Sequence, residues 1–75
     1  MQTNLFLGQL KAKGKNVGWI VTEMNKSGVK ISYSTFYKKL KGSSEFNAPE
    51  IKSIVKAMDY SKDEMYNIFF EELVS

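Results

Sequence analysis

The chain has 75 residues, 43% of them hydrophobic and 13% aromatic, with a net charge of +3 and neither cysteine nor histidine. A chain this short forms one domain, burying about 60% of its extended surface, and its apolar content suffices for one modest core, which argues against disorder. A disulfide framework, a thiolate metal site and the commonest general base are excluded together.

The charge is segregated. Residues 1–44 carry eight lysines against Glu23 alone, whereas residues 45–75 carry three lysines against seven acids. That asymmetry predicts a basic surface suited to a polyanion and an acidic back. Every cation is Lys, and none is Arg. No apolar run approaches the roughly 18 residues of a membrane span. The first residues also lack a basic region followed by an apolar one. A soluble cytoplasmic protein with no membrane partner is expected.

The first predicted helix covers residues 4–13, with Thr3 as its cap, Phe6, Leu7 and Leu10 on one side, and Gly14 as its stop. The second covers 17–27. Asn16 is its cap, Val17, Ile20, Val21 and Met24 form its apolar face, and Gly28 closes it. Trp19 on this helix reads as partly buried, or as an exposed interface anchor.

The third helix, 33–41, lies in "ISYSTFYKKLKG". Ser32 is its N-cap, Ile31 and Phe36 stand at the two positions of a hydrophobic staple, and Gly42 fits the position just past its end. Phe36 and Leu40 point inward, with Thr35 partly so. The outer face is left with Tyr33, Ser34, Tyr37, Lys38 and Lys41. The two tyrosines either pack at the core edge with their hydroxyls in water or face a partner. Lys39 reads as a solvated charge.

The fourth helix, 48–58, opens on a capping box of Asn47 and Glu50, with Pro49 in its first turn and Ile51, Ile54, Val55 and Met58 as its inward stripe. The fifth, 62–73, opens on a second box of Ser61 and Glu64, stapled by Tyr60 and Met65. Met65, Ile68, Phe69 and Leu73 form its inner side. The fold class is therefore all-α, five short helices in one domain spanning 1–75, with no repeat and no linker.

Helices two and three, short and closely joined, suggest a helix-turn-helix. "SYSTFYKKLKG" resembles the recognition helix of the lambda-repressor-like, Cro/CI-type family. "EF…EIKSIVKAMDYSKDEMYNIFF" is similar to the last two helices of its phage and Gram-positive bacterial members. The resemblance implies a compact five-helix domain of a bacterial or phage regulator, working in the host cytoplasm. It implies that the third helix lies in the DNA major groove while the second crosses the backbone. Asn16, Val17, Trp19, Ser32, Tyr33, Ser34, Thr35, Tyr37, Lys38 and Lys41 then become the candidate binding residues. Hydroxyls can bond base edges and phosphates, and Lys can reach guanine or a phosphate.

The chain departs from that family in three places. Val17, followed by Gly18 and Trp19, stands where the family commonly places a polar phosphate contact. "NKSGVKI" is longer than the usual turn. No Arg is present for the bidentate guanine contact.

Two partners follow from the resemblance. One is operator DNA, bound directly by a Cro-like homodimer; the acidic last helix, with Phe69, Phe70 and Val74, offers its contact, Phe69 reading as core and Phe70 as the residue to test. The other is the DNA-binding domain of a CI-type repressor, met by an apolar-aromatic patch of Val17, Trp19, Tyr33 and Tyr37, as an antirepressor or modulator of repression. An enzyme is not expected, and neither is a cofactor, a metal or a small-molecule substrate. Of the carboxylates Glu50, Asp59, Asp63, Glu64, Glu71 and Glu72, three sit at capping or helix-start positions, and no strand precedes a Gly-rich loop.

Overall fold

Apolar stripes at helical spacing need a partner surface, and this chain folds five of them onto one another. The computed structural model describes residues 1–70, and among these it contains α1 (Thr3–Ala12), α2 (Val17–Lys26), α3 (Tyr33–Leu40), α4 (Ala48–Met58) and α5 (Lys62–Phe69), with no strand. The last three residues of the expected fifth helix, with Leu73, lie outside the described residues, as does Val74.

Side-chain caps fix four of the five starts. Asn16 accepts from the Trp19 N–H, Ser32 from Thr35, Asn47 from Glu50 and Ser61 from Glu64. Each satisfies one of the amide groups that a helix leaves without an internal partner. The last two are complete capping boxes, with Glu50 and Glu64 returning a hydrogen bond to the backbone of Asn47 and Ser61. Thr3 is a correction. It is the first residue of α1, not its cap; the preceding Gln2 makes no side-chain cap bond, and the Thr3 hydroxyl instead donates to the Leu40 carbonyl at 2.7 Å. It thereby satisfies an acceptor at the end of α3.

Four of the five helix ends, those of α1 to α4, share one device. Past α3, the N–H of Gly42 bonds Lys39 and that of Ser43 bonds Lys38, a Schellman pair made possible by φ of 91° at Gly42. Past α4 the same left-handed position falls on Asp59, with φ of 55°, and the Asp59 and Tyr60 amides bond Lys56 and Val55.

The core gathers Phe6 and Leu10 from α1, Val17, Ile20 and Met24 from α2, Phe36 and Leu40 from α3, Ile54 and Met58 from α4 and Ile68 from α5, with Ile31 from the link before α3. Helix α2 packs on α3 and α4, and α1 packs on α5. Phe6, Phe36, Phe46 and Phe69 run ring to ring through the centre, with centroids 5.2–6.3 Å apart. No helix among the described residues is long and apolar enough to cross a membrane.

Candidate functional site

The candidate surface is the outer face of α3. Its inner face is fixed by Phe36 and Leu40, which are fully buried, so the rest of the 3.6-residue repeat must face outward. Tyr33, Ser34, Thr35, Lys38 and Lys41 are exposed and Tyr37 is partly buried against the core. Thr35 therefore differs from its expected half-inward placement. As the third residue of the helix it is tied to the cap: its amide donates to Ser32 Oγ at 3.1 Å and its hydroxyl receives from Ser32 at 2.9 Å.

Three of these side chains form a row along one edge of α3, each four residues from the next. The Tyr33 ring centroid lies 4.9 Å from that of Tyr37, and the Lys41 ammonium lies 5.8 Å from the Tyr37 ring centroid. Tyr37 is the ring that joins this row to the core. Tyr33 remains 52% exposed, the most exposed large apolar side chain among the described residues. Hydrogen bonding to Tyr37 is the main cause holding the Tyr33 phenol above its ordinary value. Ser32, Ser34 and Thr35 place three hydroxyls at the start of the helix, with Ser32 and Ser34 3.4 Å apart.

A second group sits at the start of α2. The Asn16 carbonyl oxygen is used as the cap of that helix. Trp19 is partly buried against the core, and the Lys15 ammonium sits 5.3 Å above its ring. Val17 is a correction to the expected apolar patch. It is only 5% exposed and belongs to the core, because Val17, Ile20 and Met24 share the inner face of α2 at helical spacing. The patch thus loses its only aliphatic member.

Lys39 is a second correction. It is not a solvated charge: its ammonium donates to both carboxylate oxygens of Glu50, at 2.7 and 2.8 Å. The surface charge of α3 therefore comes from Lys38 and Lys41. Asn25 is a residue that sequence reasoning passed over. Its amide donates to the Val21 carbonyl at 2.8 Å and to the Ile31 carbonyl at 3.0 Å, tying the end of α2 to the residue before the α3 cap. An Asn in the last turn of a helix that precedes a long link is the signal that could have found it.

Among the described residues, no three of His, Cys, Asp and Glu gather where they could hold a metal ion. The arrangement offers two adjacent phenol rings, hydroxyl donors and two exposed ammonium groups, which suits adhesion to a surface by contact and charge. Against known proteins, no family model, no curated protein and no solved structure matches the chain.

Proposed function

We propose that this protein is a small transcriptional regulator with a lambda-repressor-like helix-turn-helix, of the kind temperate phages encode, and that α3 is its working surface. Its partner is the DNA-binding domain of a CI-type repressor, which it modulates by occupying a recognition surface, either on the repressor alone or within a joint complex with operator DNA. The action is steric and no reaction is catalysed.

One observation carries this reading. Tyr33 lies half in water on an outer helix face, its ring tilted against that of Tyr37, with no core to fill. Ordered, exposed aromatics lose little freedom on binding and are the residues protein interfaces favour.

A second reading, direct operator binding as a Cro-like dimer, is favoured by a different observation. Lys38 and Lys41 are exposed, and residues 24–44 contain no acid to oppose them. Lysines contact phosphates and would give salt-sensitive binding.

A gel shift separates the two. The DNA flanking the chain's own gene is mixed with this protein, with the CI-type repressor proposed as its partner, and with both. Loss or remodelling of the repressor's shift, without a shift by this protein alone, supports the modulator. A sequence-specific shift by this protein alone establishes the Cro-like reader. No effect in any mixture sinks both.

A further inference from the structure

A helix-turn-helix presents its reading helix at a fixed angle through a link of about 3–4 residues. Here Lys26 and Tyr33 are separated by residues 27–32, and a link of that length does not by itself set the direction of α3. The polar contacts around α3 show what does.

At its C-terminal end α3 is held from two sides. Thr3 of α1 donates to the Leu40 carbonyl, and the buried Glu50 of α4 holds Lys39 through both oxygens. At its N-terminal end, where Tyr33 and Ser34 are exposed, the contact across the link comes from Asn25. One amide group bridges two carbonyls, Val21 inside α2 and Ile31 just ahead of the Ser32 cap. The link itself begins in a fixed shape, since the Gly28 and Val29 amides bond back to Asn25 and Met24. Ile31 is buried in the core, so a bond to its carbonyl acts on an already anchored residue and fixes the approach of the chain to α3.

We propose that Asn25 is a positioning residue for the α3 surface: its bridging amide takes the place of the short turn and sets the angle at which Tyr33, Ser34 and Tyr37 are presented. This rests on the reading of α3 as the working surface. Asn25 is itself exposed and outside the core, so its role is not that of a packing residue. Neither its backbone carbonyl, which closes α2, nor its helical position requires an amide side chain. Only the bridge does.

Four proteins test it: the natural chain, Asn25→Ala, Asn25→Gln, and a control carrying Tyr33→Ala with Lys38→Ala. Two measurements are made on each. One is amide hydrogen exchange over residues 33–37 relative to 51–58. The other is the gel shift of the flanking duplex with and without the CI-type repressor. A single hydrogen bond is worth about 2- to 10-fold in an equilibrium. Asn25→Ala is expected to speed exchange over 33–37 by about that factor while 51–58 keep their protection, and to weaken binding by a similar factor. Asn25→Gln, which keeps the amide donors, is expected to recover at least half of both effects.

Unchanged exchange over 33–37, or a uniform rise through the whole chain, overturns the positioning role. So does faster exchange over 33–37 with binding intact in Asn25→Ala but lost in the control, and so does a Gln variant as impaired as the Ala variant. Binding intact in the control shows instead that α3 is not the working surface, whatever the exchange result, and removes the positioning role with it.

Discussion

Lys39 and Glu50 form an ion pair in which one ammonium serves both oxygens of one carboxylate, and the same carboxylate accepts the Asn47 N–H at 2.9 Å. The two side chains are 15% and 8% exposed. A single acid thus closes the capping box of α4 and holds the C-terminal end of α3. The pair spans the loop after Gly42, so it joins two helices whose connection is otherwise made by the backbone and by Phe46 packing on Phe36.

Lys39→Met leaves the Glu50 carboxylate buried beside one backbone donor. Removing one partner of a buried pair costs about 3–5 kcal/mol. The expected loss here is at the lower end, because the Asn47 amide still bonds Glu50. Adding Glu50→Gln should recover most of it, since Gln keeps the capping-box bond and carries no charge. Urea unfolding of the two single variants and the double variant checks this. Additive losses would mean that the pair does not couple α3 to α4.

Phe36 touches both Phe6 and Phe46 and is fully buried. Phe36→Ala should cost about 3–5 kcal/mol, combining lost transfer energy with an unfilled cavity. A midpoint that barely moves in thermal unfolding would place Phe36 outside the core and reverse the assignment of the inner and outer faces of α3.

The core and the helix starts were legible because both depend on short-range pattern. Phe6, Leu10, Ile20, Met24, Phe36, Leu40, Ile54, Met58 and Ile68 all lie where 3.6-residue spacing puts them. Asn16, Ser32, Asn47 and Ser61 cap where a short acceptor precedes an apolar stripe. What escaped was what depends on three dimensions. Lys39 meets an acid eleven residues away, Thr3 reaches a carbonyl thirty-seven residues away, and Asn25 crosses a link. A side chain with two local readings, cap or tether, solvated or paired, is settled by which element folds beside it. Val17 fits two local readings at once, as part of the α2 stripe and as part of a surface patch. Only the inner face that α2 presents in the fold decides between them.

Tyr60 donates to Gln9 at 2.6 Å, tying α1 to the turn between α4 and α5, and burial pushes its phenol up to about 12, with nearby Glu64 adding to the effect. An ordinary tyrosine titrates near 10. The folded chain therefore holds the Tyr60 proton more tightly than the unfolded chain does. Stability from this group is complete below pH of about 10 and is lost as pH climbs from there toward about 12. Urea midpoints across that window should fall faster for the natural chain than for Tyr60→Phe. Parallel curves would remove Tyr60 as the source.

Asp59 occupies the left-handed position that Gly42 fills after α3. An L side chain there costs on the order of 1 kcal/mol, eased for Asp by its short polar side chain. Asp59→Gly should therefore raise the thermal midpoint slightly, the gain being trimmed by the greater freedom of Gly in the unfolded chain. A lower midpoint would mean that the Asp59 side chain contributes more than its backbone strain costs.

Val17 and Tyr33 were both candidates for the binding surface, and the fold separates them: Val17 is 5% exposed and Tyr33 is 52% exposed. Val17→Ala removes buried methyl groups and should cost about 2 kcal/mol of stability, while its effect on partner binding, measured well below the unfolding midpoint, should be small. Tyr33→Ala should do the reverse. It removes a ring that fills no core, so the thermal midpoint should move little, while binding of the proposed repressor or operator partner should weaken by about tenfold or more, as loss of an interface aromatic does. The contrast is sharper than either variant alone, because a general loss of folding lowers both readouts together. A Tyr33→Ala protein that folds and binds as the natural chain does would leave the α3 row without a role in recognition. A Val17→Ala protein of unchanged stability would return Val17 to the surface and restore the wider apolar patch.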